Sequence, residues 1–120
     1  MKIYTLLLAI LLTGCTMQHR TTENHRYTGD FRYYAGIAEF FDCKQKKRFY
    51  LSSQGLHDEV ISSFQALKLT EKEDAFLKVE GYYTEEEQMD GVDPLELLVV
   101  TRIDQLDPSR SCDRRRREGL

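Results

Sequence analysis

The chain has 120 residues, which is enough for one domain with a modest hydrophobic core. Its composition is that of a globular protein, with 41% hydrophobic and 31% charged residues and no low-complexity tract or repeat. The formal net charge at pH 7 is −3, which argues against nucleic acid as a partner because phosphate backbones attract a surplus of Lys and Arg.

Residues 1–14 predict a signal peptide rather than a part of the fold. The apolar run after Lys2 is too short to span a bilayer as a helix. It ends in Leu12-Thr13-Gly14-Cys15, which resembles a bacterial lipobox. From this motif we predict lipidation at Cys15 and a chain that is anchored to a membrane without spanning it. The alternative is an ordinary secretory signal peptide that happens to contain a cysteine. Thr16, in place of Asp, is typical of sorting to the outer membrane.

Residues 15–28 predict a flexible tether, because residues 16–28 show neither a strand nor a helix period. Met17, His19 and His25 are ligand types for soft metals, but side chains on a flexible linker lack the fixed geometry of a metal site. Loss of residues 1–14 removes Lys2 and leaves 16 basic against 20 acidic residues. We predict no metal site and no cofactor.

The stretch from Gly29 to Phe49 predicts one long strand, a basic turn at residues 44–47 and a returning strand. The apolar phase slips at Gly36, which is typical of a β-bulge or a sharp bend. Phe31, Tyr33, Ala35 and Ile37 alternate on one face, and past Gly36 the apolar pattern continues in the other phase with Ala38 and Phe40. The basic turn suits either anionic headgroups or, more simply, solvent.

The remaining elements follow from their periodicity. Residues 56–68 have apolar residues at helical spacing and predict an amphipathic helix that covers one end of the sheet. Residues 75–83 alternate as a third strand, and residues 95–104 form a fourth. The connecting loop, residues 85–94, has five carboxylates, but they do not fit the EF-hand spacing, so a solvated loop is the simpler interpretation.

The cysteines predict one disulfide. If Cys15 is lipidated, two cysteines remain, Cys43 and Cys112. An even number of cysteines in an oxidising envelope compartment favours a disulfide between them. A redox-active pair is the weaker alternative, because the two lack the close spacing that lowers a thiol pKa. The bond would hold a polar tail that contains Arg114 to Arg117, whose role is either to reach lipid phosphate groups or simply to be solvated.

The central stretch resembles the C-terminal domain of the NlpE family of outer-membrane lipoproteins. The matching residues are Gly29, Tyr33, Ala35, Ala38, Phe40, Asp42, Cys43, Lys47, Arg48 and Phe49, with Glu80, Gly81 and Cys112 further on. The resemblance implies a mainly β fold over residues 29–120: a small OB-like antiparallel barrel of four to five strands with one amphipathic helix. The family's separate N-terminal domain, with its CxxC pair, is expected to be absent.

The sequence does not predict an enzyme, because it offers no nucleophile–His–acid set and no phosphate-binding loop. The resemblance implies an interaction or sensing module in envelope stress, surface sensing or copper homeostasis, with an envelope protein as its partner. A lipoprotein that binds a small ligand, a metal or a glycan by itself is the alternative. Tyr33, Tyr34, Tyr82 and Tyr83 are the predicted interaction surface, since tyrosine is enriched at interfaces.

Overall fold

The computed structural model describes residues 23–112. Its elements, in chain order, are β1 (His25–Tyr34), β2 (Ile37–Asp42), β3 (Lys47–Gly55), α1 (His57–Ala66), β4 (Ala75–Glu86) and β5 (Leu95–Asp107). The five strands form one closed sheet in the order β1-β2-β3-β5-β4, with β4 pairing back onto β1. A five-stranded closed sheet with one helix is the architecture of an OB-like domain, so the predicted fold class is confirmed.

The core fills the inside of the closed sheet, and α1 covers one end of it. Phe31, Phe40 and Leu98 are completely buried. From α1, Val60 and Phe64 are buried, and the Phe64 ring meets the Phe31 ring edge-on at 5.2 Å. The predicted helix and its apolar face are therefore confirmed. Within the described range, no helix is long and apolar enough to cross a membrane.

The predicted long first strand is two strands, and this prediction was wrong. The chain reverses at Ala35 and Gly36, and Tyr34 pairs with Ile37 across the reversal. Both turn residues have positive φ, 52° at Ala35 and 78° at Gly36, which is the pattern of a type I′ turn. A two-residue turn shifts the alternation of inward and outward side chains by one position, and so does a bulge. As a result Ile37, predicted to face the core, is 51% exposed.

Replacement of Gly36 by valine tests this turn. A Cβ at Gly36 would meet no atom within 4 Å, so any cost comes from the backbone conformation alone. A β-branched residue at positive φ is strained, and we expect Gly36→Val to lower the free energy of unfolding by about 1–3 kcal/mol. Urea unfolding measures the difference. Ala35→Gly is the control and should be neutral or stabilising; an unchanged midpoint in Gly36→Val would contradict the turn.

The predicted tether is too long at its C-terminal end. Strand β1 begins at His25, so residues 25–28 belong to the sheet and pair with β4. The segment is mostly polar, which is why its sequence predicts a tether. Its Tyr27 side chain nevertheless packs on Tyr83, with the two ring centroids 4.4 Å apart. Residues 1–22, including the predicted signal peptide, Cys15 and most of the tether, lie outside the described residues.

The sheet is not wholly antiparallel, which corrects another part of the prediction. Strands β3 and β5 run parallel, with Tyr50 beside Leu97 and Leu51 beside Leu98. The reason is one of parity: neighbours in an antiparallel sheet alternate in direction, so a closed sheet with five strands must contain a parallel pair. The crossover through α1 and β4 allows this pair, because parallel neighbours cannot be joined by a tight turn.

Candidate interaction surface

A groove of about 570 Å³ lies where the β1–β2 turn, β2, β3 and the start of β5 meet. Its apolar lining consists of Ile37, Ala38, Tyr50, Leu51, Leu95 and Leu97, and its polar lining of Ser52, Ser53, His57, Glu86 and Gln88. We call these residues the groove. Its position is the one that OB folds use for binding, namely the face of strands 2 and 3 between the first and fourth loops.

The groove exposes apolar side chains that a folded monomer would otherwise bury. Ile37 is 51% exposed and Tyr50 is 37% exposed, although their strand neighbours Ala38 and Leu51 are buried. The adjoining β4–β5 loop adds Met89 and Val92, which are 83% and 53% exposed. Four of the five large apolar side chains exposed in residues 23–112 therefore lie in the groove or in this loop, and such a patch marks an interaction site.

A charged cluster lies beside the groove on the same strands. The Glu39 carboxylate accepts a hydrogen bond from Arg32 at 2.7 Å and lies 3.7 Å from an Arg48 nitrogen. Lys47 forms an ion pair with Glu96 across the parallel β3–β5 pair. An apolar centre bordered by paired charges is the usual anatomy of a protein interface.

A buried carboxylate organises the β2–β3 turn. Asp42 is 2% exposed. Its Oδ1 accepts hydrogen bonds from the backbone N–H groups of Lys44 and Gln45 at 2.8 and 2.9 Å. Its Oδ2 accepts from the Tyr83 hydroxyl at 2.5 Å and from the Gln45 side-chain amide at 3.2 Å. Asp42 therefore ties the turn to β4, a role that no sequence pattern indicated.

Tyr83 belongs to a stack of aromatic side chains. Its ring lies on that of Phe49 at 3.8 Å with an interplanar angle of 14°. Burial, and then the hydrogen bond and negative charge of Asp42, raise the pKa of Tyr83 far above its usual range. The phenol therefore stays protonated and keeps donating to Asp42 at physiological pH. This arrangement makes Tyr83 a structural residue.

The four tyrosines predicted as an interaction surface are not brought together. In the β1–β4 register, His25 pairs with Gly81 and Phe31 pairs with Ala75. Tyr33 and Tyr34 thus lie at one end of the strand pair and Tyr82 and Tyr83 at the other. Tyr33 and Tyr83 pack against the core, whereas Tyr34 is 41% exposed and lines, with Tyr33, a second cavity of about 490 Å³ beside the end of α1.

The predicted disulfide between Cys43 and Cys112 is present. The backbone N–H of Cys43 donates to the Thr28 carbonyl at 2.9 Å, and that of Cys112 donates to an Asp30 carboxylate oxygen at 3.0 Å. The bond therefore fastens the end of the described chain to β1 and β2. Arg114 to Arg117 lie outside the described residues. Among residues 23–112, no group of three or more His, Cys, Asp or Glu is placed to hold a metal ion.

Comparison with known proteins relates this fold to one family. A family model described as the NlpE C-terminal OB domain matches residues 21–113. The crystal structure of the Cpx pathway activator NlpE from Escherichia coli matches at 26% identity with a TM-score of 0.61. That match covers 76% of this chain and 45% of the NlpE chain, so this chain spans less than half of its relative. The comparison with curated protein sequences finds no match.

Proposed function

The chain belongs to the NlpE C-terminal OB domain family, and on that basis we propose that it is a lipid-anchored envelope protein that acts as an interaction and sensing module in envelope stress signalling. The relative with a solved structure is an activator of the Cpx pathway. Family membership supports an envelope location, and the lipobox-like Leu12-Thr13-Gly14-Cys15 supports an anchor at Cys15, with the outer membrane as its site.

The single observation that carries an interaction role is the groove. Its apolar centre contains Ile37, Tyr50 and Leu97, and the Arg32–Glu39–Arg48 cluster lies at its border. Tyrosine and isoleucine side chains that are already fixed in strands lose little conformational entropy on binding, which favours affinity. We propose that an envelope protein of the stress pathway docks there.

The anchor is tested by fractionation. Cys15→Ala removes the sulfur that would be acylated, so the variant should leave the membrane fraction or remain uncleaved at residue 15. In a strain with a Cpx-type stress reporter, the variant should also lose whatever induction the intact chain produces. A Cys15→Ala protein that is still cut at this site and still sediments with membranes would refute the anchor.

The groove is tested by the same reporter. Ile37→Asp places a charge in the apolar centre without filling the core, because Ile37 is half exposed. We expect it to fold normally and to lose induction. Ser63→Asp, at an exposed position of α1 outside the groove lining, is the control and should keep its induction. Full induction by Ile37→Asp would show that the partner docks elsewhere.

A further inference from the structure

The groove opens where two strands of the sheet part. The pairing of β2 with β3 ends at Glu39 and Tyr50, although β2 begins at Ile37 and β3 continues beyond Tyr50. The pairing of β3 with β5 is interrupted as well, since within the described residues no β5 residue is the partner of residues 52–54. Ile37 and Ser53 are both exposed, and both line the groove. The backbone edges of β2 and β3 therefore face the same open space.

We propose that the partner docks through an extended segment of its own chain, in which apolar side chains alternate with Lys or Arg. The proposal rests on the proposed function, because it names the kind of segment that the groove takes. An open strand edge presents N–H and C=O groups at the spacing of another strand, so an extended segment can add to it. Alternate side chains of a strand point to opposite sides. One set contacts the apolar lining, and the other points outward to the rim.

The rim of the groove is acidic and has no basic residue to balance it. Among the described residues that line the groove, none is Lys or Arg. The end of β4 and the loop after it contain five exposed carboxylates: Glu85, Glu86, Glu87, Asp90 and Asp93. No ion pair within residues 23–112 involves any of these five, whereas Glu39, Glu80 and Glu96 each have a basic partner. The groove therefore favours a positively charged segment and disfavours anionic lipid.

Selection from a random library of twelve-residue peptides displayed on phage, against the purified full-length chain in detergent, tests the composition of the segment. We expect the enriched peptides to have a positive net charge and apolar residues at alternate positions. Enrichment should disappear with Ile37→Arg, which places a like charge in the groove. It should persist with the control Ser63→Arg, at an exposed position of α1. Neutral or acidic enriched peptides, or enrichment no greater than that with Ile37→Arg, would overturn the proposal.

The most enriched peptide, made synthetically, separates the effect of charge from that of strand addition. The double variant Glu86→Gln/Glu87→Gln should weaken its binding about three- to tenfold, the effect of two exposed ion pairs. The control is Glu71→Gln/Glu73→Gln, two exposed carboxylates that line the second cavity, and it should leave the affinity unchanged. Unchanged affinity for the Glu86→Gln/Glu87→Gln variant would refute the role of the acidic rim.

Strand addition requires the backbone N–H groups of the peptide. N-methylation of every second peptide group, made in both registers, should abolish binding in at least one register because it removes these donors. Equal binding by both methylated peptides and the parent would show that the segment does not add as a strand, which contradicts the proposal.

A second copy of the chain is the other occupant to test. Sedimentation of the chain alone should show a monomer; a dimer that Ile37→Arg dissociates would place a second copy in the groove and overturn the proposal. The peptide measurements contain no envelope partner, so their failure leaves the expected loss of stress induction in Ile37→Asp intact. Conversely, full induction by Ile37→Asp would contradict docking of the envelope partner and leave the peptide affinities as measured.

Discussion

Loss of the disulfide is expected to lower the free energy of unfolding by about 4 kcal/mol in the double variant Cys43→Ser/Cys112→Ser. The bond joins positions 69 residues apart, and in the chain-entropy model a closed loop of this size restricts the unfolded chain by about that amount. Domains of this size have total stabilities of about 5–15 kcal/mol, so the loss would be a large share of the total. Urea unfolding under oxidising conditions measures the loss.

The control for this prediction is the unsubstituted chain in excess reductant, which should unfold at nearly the same urea concentration as the double variant. Limited proteolysis gives a second measurement. Without the bond, Cys112 keeps one backbone hydrogen bond to Asp30, and cleavage should begin in the residues after Asp107. A loss below about 1 kcal/mol would mean that the unfolded chain is already compact in this region.

Asp42→Ala is expected to lower the free energy of unfolding by about 2–4 kcal/mol. The substitution removes a buried carboxylate that accepts four hydrogen bonds. It leaves the half-buried Tyr83 hydroxyl and the backbone N–H groups of Lys44 and Gln45 without their acceptor. Hydrogen bonds to a charged acceptor are stronger than neutral ones, and their buried donors are costly to leave unpaired.

A double-mutant cycle separates these contributions. Tyr83→Phe should cost about 1 kcal/mol, since it removes the hydroxyl and keeps the stacked ring. In combination with Asp42→Ala it should add less than its own cost, because the two groups share one hydrogen bond. Glu80→Ala, whose carboxylate pairs with the exposed Arg26 and Arg102, is the control and should change little. Additive costs in the cycle would show that Asp42 and Tyr83 act independently.

Periodicity predicted the elements that bury one continuous face. The spacing of Val60 and Phe64 identified α1, and the alternation of Leu77 and Val79 identified β4; in both cases the predicted inward residues are buried. Cysteine parity predicted the disulfide, because only two cysteines remain after the predicted anchor. Periodicity is a local property and the number of cysteines can be counted, so both can be used with a single sequence.

The β1–β2 turn and the groove were not predictable in the same way. A glycine at a phase slip is typical of both a bulge and a turn, and the residue that would have marked a type I′ turn, Asn or Asp before Gly36, is replaced by Ala35. The groove depends on Tyr50 lying beside Leu97, a contact between strands separated by a helix and another strand. The parity of a five-stranded closed sheet was the available signal for this pairing.

The most direct test of the central claim is photo-crosslinking from the groove in intact cells. A photoreactive phenylalanine analogue at Tyr50 should join the anchored chain to an envelope protein. The same analogue at Tyr82 should give no such adduct. If Tyr50 gives no adduct while Tyr82 crosslinks to an envelope protein, the groove is not the docking surface.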